Sequence, residues 1–316
     1  MIAIRKEFYL ENTAIPYFTP DVITHFRALQ DREHIRRTVT GEYEPVNFPP
    51  GSSVRIWVNI ENISYAPHWH TSTEIIVPVD NIYTVRIREE EYILKPGDIF
   101  IIPSGELHQL IGPENGARLF FLFDLSVLHS IKGFPYLSSV MAQPVLINEK
   151  MPIYNAEMKL LYQMLCDYYN ENALRELMIF SKLINFYVEY EGYQSALNSP
   201  TPPHNQKDIM DRLNIVFYYI DEHYAEGITL EKAAEIAGFS KYHFSRIFKQ
   251  FSGCNFYDYL CFHRIKIAEQ LLLTPGISIT DIAYQAGFGS LCTFNRTFKK
   301  VKECTPSEYR SKHLPI

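Results

Sequence analysis

Residues 230–301 contain one pattern twice. LEKAAEIAGF (230–239) matches ITDIAYQAGF (279–288) at an offset of 49, and SKYHFSRIFKQF (240–251) matches SLCTFNRTFKKV (290–301) at an offset of 50. One extra residue in the turn accounts for the change. Each copy reads as a helix, a Gly-containing turn and a second helix. Ala234 and Ala237 let the two helices approach closely, Gly238 supplies the positive φ that ends the first, and Ser240 is an N-cap for the second. On that second helix Phe244, Phe248 and Phe251 form a core stripe at i, i+4 and i+7. Tyr242, Ser245, Arg246 and Lys249 are left facing out. The second copy keeps Phe294, Phe298, Arg296 and Lys299 at the matching positions. A merely solvated face has no reason to repeat Arg and Lys in register, whereas a helix built to enter a DNA major groove does.

A long helix from about Asn255 to Leu273 joins the copies and stops at Pro275-Gly276. Thr305-Pro306-Ser307-Glu308 is a capping box that starts a last short helix. From residue 205 onward 9 Lys and 5 Arg stand against 5 Asp and 7 Glu, although the whole chain carries −6, so the acidity lies in the front half. Over about residues 208–311 the chain resembles the AraC family of transcription regulators. The resemblance rests on both helix-turn-helix copies, the joining helix with Arg264, Ile265, Ala268, Leu271 and Leu272, the run GFGSLCTFNRTFK at 287–299, and TPSEYR at 305–310. It implies two recognition helices reading successive major grooves. Tyr242, Ser245, Arg246 and Lys249 would meet one groove, and Cys292, Thr293, Arg296 and Lys299 the next. Many relatives carry Gln where Leu291 and Cys292 stand, so readout there would lean on thymine methyls. The partners implied are double-stranded DNA, a small-molecule effector, a second copy of the chain and RNA polymerase, with no membrane.

The front half changes period. VRIWVNIENISYA, TEIIVPV, IYTVRIREEEYILKPGDIFIIP and ARLFFLFDL, within 54–125, are Val-, Ile-, Tyr- and Phe-rich and broken by Pro, Gly, Asn and Asp, as in an antiparallel barrel or sandwich. Inside APHWHTSTE (66–74), His68, His70 and Glu74 fall on even spacings, so a strand would turn all three to one side. The segment resembles a cupin barrel, with His68-x-His70-x-x-x-Glu74 as its first motif and PGDIFIIPSGELH (96–108), ending in His108, as its second. By that resemblance His68, His70, Glu74 and His108 complete a metal-ligand set suited to Zn, Ni, Mn or Fe. Three readings compete, in this order: a metal-free pocket for a sugar or other polar metabolite, with Trp69, Tyr65 and Tyr83 as stacking rings; a bound divalent metal; and a hydrogen-bonded barrel interior. Asp80 stands where the family's first motif usually has glycine, which weakens any carry-over of enzymatic chemistry.

Past residue 150 helical periodicity returns, with Met158, Leu161, Leu165 and Tyr168 on one face, then Leu177, Phe180, Ile184 and Tyr187 on another. This pair is the candidate for dimerisation, with packing on its own barrel as the rival. SALNSPTPPHNQ reads as a linker. The expected fold is therefore two-domain α+β: a cupin-like effector-binding barrel with flanking helices over 1–195, a linker over 196–206, and an all-α DNA-binding domain over 207–316. Five cysteines without CxxC spacing, no export signal and no long apolar run point to a reducing cytoplasm. The leading function is a ligand-responsive transcription regulator and not an enzyme. The alternative is a metal-dependent cupin enzyme fused to a DNA-binding domain.

Overall fold

In the computed structural model of the protein the described residues are 15–30, 42–44, 46, 48–49, 51–60, 64–113, 116–128, 131, 133, 143–197, 204–252 and 254–313. A helix absent from the expectations above, α1 (Pro20–Ala28), comes first. Thr19 caps it by accepting from the Val22 N–H, Pro20 occupies its first turn, and Ile23 and Phe26 are buried.

Among the described residues eight strands follow: β1 (Val54–Asn59), β2 (Thr73–Pro78), β3 (Tyr83–Ile87), β4 (Glu90–Leu94), β5 (Ile99–Ile102), β6 (His108–Ile111), β7 (Arg118–Phe123) and β8 (Val145–Ile147). They form a five-stranded sheet, β1-β7-β2-β5-β8, facing a three-stranded sheet, β4-β3-β6, with every pairing antiparallel. Central strands β2, β5 and β7 are buried at every residue, because the larger sheet is covered on both faces. Alternation sorts their side chains. Ile75, Val77, Ile99, Ile101, Leu119, Phe121 and Phe123 face outward into one core. Ile76, Phe100, Ile102 and Phe120 face into the barrel with Val85, Ile87, Leu94 and Leu110.

The outward core is closed by α2 (Tyr154–Tyr168) and α3 (Arg175–Ala196), through Met158, Leu161, Leu165, Ile179, Leu183 and Phe186. Each such side chain contributes about 1.5–3 kcal/mol by leaving water. Of the apolar faces that sequence offered for dimerisation, every named residue but Leu177 thus packs on the barrel itself. Leu177 and Val188 are what α3 leaves exposed. The helix runs on past that face to Ala196.

Of the expected linker, residues 198–203 lie outside the described residues, and 204–206 already belong to α4 (His204–His223). Then come α5 (Leu230–Ile236), α6 (Lys241–Ser252), α7 (Phe256–Leu272), α8 (Ile279–Gln285), α9 (Leu291–Lys302) and α10 (Pro306–His313). The duplication is visible in bonding detail. After α5, Gly238 at φ +66° donates to the Glu235 carbonyl and Phe239 to that of Ala234; after α8, Gly287 at φ +85° donates to Tyr284 and Phe288 to Ala283. Both are Schellman closures. Ser240 and Ser290 cap the helices that follow, and Thr305 and Glu308 form the reciprocal capping box. Phe244 and Phe248 are buried as expected, while the side chain of Phe251 lies outside the described residues.

Helix α7 divides its length between two cores. Phe256, Tyr259 and Leu260 pack with the first helix-turn-helix, and Ile265, Ala268 and Leu272 with the second. At its middle Arg264 donates to the Tyr224 and Glu226 carbonyls, both at 2.7 Å, tying α7 to the end of α4. Gly287 sits against that tie: a Cβ there would lie 2.6 Å from the Tyr224 carbonyl oxygen and 2.9 Å from the Arg264 Nε. At Gly238 the corresponding Cβ would meet only the Arg212 guanidinium, at 3.0 Å.

One buried group opposes this packing. Glu157 in α2 has no exposed surface, and neither carboxylate oxygen has a hydrogen-bond partner among the described residues. Burial, aided by Glu189, pushes its carboxyl up from 4.5 to about 9.

Two outcomes are expected. Between pH 4.5 and 9 the folded chain holds a proton that the unfolded chain releases, so Glu157 makes stability fall as pH rises, by on the order of 3 kcal/mol at pH 7. Glu157→Gln should raise the melting midpoint more at pH 8 than at pH 5, and equal gains at both would contradict the assignment. In urea unfolding, Gly287→Ala and Gly238→Ala should each cost about 1–2 kcal/mol for the left-handed backbone. Gly287→Ala should be the more destabilising, because its Cβ meets rigid backbone.

Candidate functional site: a histidine cluster in the barrel and two exposed helix faces

Glu74 follows the parity of Ile76 in β2 and therefore points into the barrel, opposite Ile102 of β5. His68 and His108 exchange backbone hydrogen bonds, each N–H donating to the other's carbonyl at 2.9 Å, which sets the two residues side by side. Two residues on, His70 returns to the same side. The ring centroids of His68, His70 and His108 lie 4.1–5.8 Å apart.

In all three rings the Nδ1 is tied to a backbone carbonyl: His68 to Ala66 at 2.9 Å, His70 to Ser72 at 3.0 Å and His108 to Glu106 at 2.9 Å. With Nδ1 so engaged, each ring turns its Nε2 inward; the Nε2 of His70 donates to Glu74, and a bound ion would take the place of that proton. Nε2 of His70 is 2.8 Å, and that of His108 3.8 Å, from Glu74 Oε2. One ligand atom from each of His68, His70, Glu74 and His108 lies within 4.8 Å of every other, and all four residues are buried. Ligand atoms of a four-coordinate ion sit about 3–3.5 Å apart at metal–nitrogen distances near 2.0–2.1 Å, so small movements would close the set. Burial by itself would raise the Glu74 carboxyl, but the His70 hydrogen bond and the imidazoles around it hold it at about 2. The same bond and charge outweigh burial at His70 and keep its imidazole above the ordinary value.

Of the other residues expected at this site, two lie away from the cluster. Trp69 alternates with its neighbours and faces out of the barrel, its ring 4.8 Å from that of Tyr43. Tyr83 is buried at the far end of β3 from Ile87, the residue paired with His108, and Arg118 lies over its ring at 5.0 Å. Tyr65 stays close, its ring 6.3 Å from His68, with its hydroxyl accepting from Asn59. Asp80 accepts a hydrogen bond from the Ala117 N–H, tethering the turn where glycine was expected. Glu44, absent from the sequence expectations, brings Oε2 to 3.3 Å from His68 Nε2. Only the fold reveals it, since residues 42–44 reach the site through a bridge between Tyr43 and Trp69.

In the helical half, α6 buries Phe244 and Phe248 and exposes Arg246, Lys249 and Tyr242, the last 87% accessible; Ser245 is half-buried. Helix α9 buries Phe294 and Phe298 and exposes Cys292, Thr293, Arg296 and Lys299. Asn295, also exposed, joins that face without having been anticipated. Lys302 instead turns inward to Glu269 at 2.7 Å.

The two halves touch. Tyr43 stacks on Phe262 of α7 at 5.4 Å, and Lys266 of α7 meets Asp124 at 2.8 Å. Between them a cavity of about 360 Å³ is lined by Ser53, Ser104 and Asp124 on one side and Tyr259, His263 and Lys266 on the other. Burial holds the His263 imidazole down at about 4, hence neutral.

These features define a sensor barrel joined to a pair of helix-turn-helix units, and comparison with known proteins agrees. Residues 50–135 match the AraC-like ligand binding domain and residues 233–312 a helix-turn-helix domain. The probable transcription factor PqrA of Proteus vulgaris is 42% identical over 85 residues, covering 27% of this chain and 70% of PqrA. An uncharacterized HTH-type transcriptional regulator, SACOL0084, of Staphylococcus aureus (strain COL) is 28% identical over 232 residues, 68% of this chain. The match takes in 28% of that longer relative's length. Among solved structures, ToxT from Vibrio cholerae, crystallised with an unsaturated fatty acid bound, is 15% identical with a TM-score of 0.45, covering 83% of this chain and 96% of ToxT. The chain belongs to the AraC family of transcription regulators, which is not a family of enzymes. Among the described residues no helix is long and apolar enough to cross a membrane.

Proposed function

We propose that this protein is a DNA-binding transcription regulator whose hold on its operator responds to what occupies the barrel cluster. The reading of DNA rests on two exposed faces, Tyr242, Ser245, Arg246 and Lys249 on α6 and Cys292, Thr293, Arg296 and Lys299 on α9, both carried by α7. The observation that carries the sensing half is the convergence of His68, His70, Glu74 and His108 with every Nδ1 fixed by a backbone carbonyl. That donor set fits a divalent transition metal, Zn, Ni, Mn or Fe, bound through three Nε2 atoms and a carboxylate. The ion would supply positive charge beside Glu74 and a coordination position for an oxygen-bearing metabolite. With Trp69 facing out of the barrel and Tyr83 at its far end, a sugar held at the cluster has fewer rings to meet. A second reading is favoured by the cavity beside α7, whose hydroxyls and aromatic rings suit a neutral polar metabolite such as a sugar. In either case the effector changes DNA binding only by preferring one arrangement of the two halves.

Metal analysis of the purified protein, with thermal shifts against Zn²⁺, Ni²⁺, Mn²⁺ and Fe²⁺ and a panel of sugars, tests the sensing half. At least one ion should raise the melting midpoint of wild type and leave that of His70→Ala unmoved; no ion shift in wild type would sink the metal reading. For the DNA half, Arg246→Ala and Arg296→Ala should each weaken binding to a selected operator by about 1–3 kcal/mol at fixed salt. Wild-type affinity in both variants would remove the assigned faces.

A further inference from the structure

We propose that Glu44 is a fifth ligand of the barrel cluster, and that through Tyr43 beside it occupancy of the cluster is felt at α7. The inference rests on reading the cluster as an ion site. Because the Nδ1 of His68 is committed to the Ala66 carbonyl, the Nε2 that Glu44 approaches at 3.3 Å is the same nitrogen that points at the other ligands. The Glu44 side chain is 16% exposed, so its carboxylate is largely removed from water and sits where a cation would draw it in. The set then becomes three imidazoles and two carboxylates. A second carboxylate moves the preference from Zn²⁺ toward the harder Mn²⁺ and Fe²⁺, which take more oxygen ligands.

The same three residues make the connection to the DNA-binding half. The Glu44 N–H donates to the Trp69 carbonyl at 2.9 Å, and the Trp69 N–H to the Glu42 carbonyl at 2.8 Å. Residues 42–44 therefore lie alongside the stretch that carries two of the histidines. Extended backbone sends neighbouring side chains to opposite sides. Glu44 reaches in to His68, and Tyr43 reaches out between Trp69, against which it is tilted at 4.8 Å, and Phe262 of α7, on which it stacks at 5.4 Å. Trp69 itself packs against the core of the first helix-turn-helix. An ion adds an attraction for Glu44 that the empty site lacks, so residues 42–44, and with them Tyr43, are held more firmly when the site is filled. That difference between the two states is what coupling requires.

The test uses the full chain, its wild type and the variants Glu44→Gln, Tyr43→Leu and Phe262→Leu, each checked by thermal melting for folding. Affinities for Mn²⁺ and Zn²⁺ come from competition with a chelator, and operator affinity from fluorescence anisotropy with and without Mn²⁺. Glu44→Gln should lose on the order of tenfold or more in Mn²⁺ affinity and distinctly less for Zn²⁺. Tyr43→Leu should keep Mn²⁺ affinity within about twofold, yet lose the Mn²⁺ dependence of operator binding, which in wild type should be roughly 5–150-fold. Phe262→Leu should behave as Tyr43→Leu does, and hydrogen exchange at residues 42–44 should slow when Mn²⁺ is added to wild type. If wild type binds the ions but Glu44→Gln binds both as wild type does, or if both aromatic variants keep the full ion dependence, this inference falls and the ion site stands. If wild type binds neither ion, the site and the inference fall together.

Discussion

An ionised carboxylate inside a strand with no solvent-facing side must be neutralised by its neighbours, and Glu74 in β2 is in that position. β2 is covered by helices on one face and by the second sheet on the other, so nothing but protein can answer the charge. His70 does so first, donating its Nε2 proton to the carboxylate, with the imidazoles of His108 and His68 beside it, each ring held by a backbone carbonyl. Their arrangement in turn needs the reciprocal His68–His108 backbone bonds, which place a loop residue beside the first residue of β6. The site is thus a product of the barrel's most buried strand.

The helical half was legible in the sequence because its signals are local. The glycine closures, the serine caps and the capping box depend on residues within a few positions of each other, and the duplication printed the closures and the serine caps twice. His68, His70, Glu74 and His108 were legible from two short motifs. Trp69 was not readable as a barrel residue for a reason the alternation itself contains: a residue between two inward histidines must face outward. Tyr83 was misplaced by register, since only the pairing of Ile87 with His108 shows which end of β3 reaches the cluster. Glu44 could not be found at all from spacing, because it arrives by a contact between Tyr43 and Trp69, distant in the chain.

The apolar faces of α2 and α3 carry a related lesson. Helical periodicity establishes that a face is buried without saying against what, and here the answer is the outward side of the five-stranded sheet. The breadth of that sheet, covered by both helices, is also what leaves β2, β5 and β7 without polar alternation.

Helix α7 has a consequence for the operator. Its two ends are set in separate cores, and its middle is bolted by Arg264 to the end of α4, which resists independent sliding or swivelling of the two helix-turn-helix units. Seventeen helical residues make a strut of about 26 Å. DNA repeats its groove every 10–10.5 base pairs, so each added base pair turns the second half-site by roughly 35° around the duplex. On the proposed DNA-binding function, a strut of fixed length and fixed twist therefore acts as a caliper: an operator would have to match it in phase as well as in sequence.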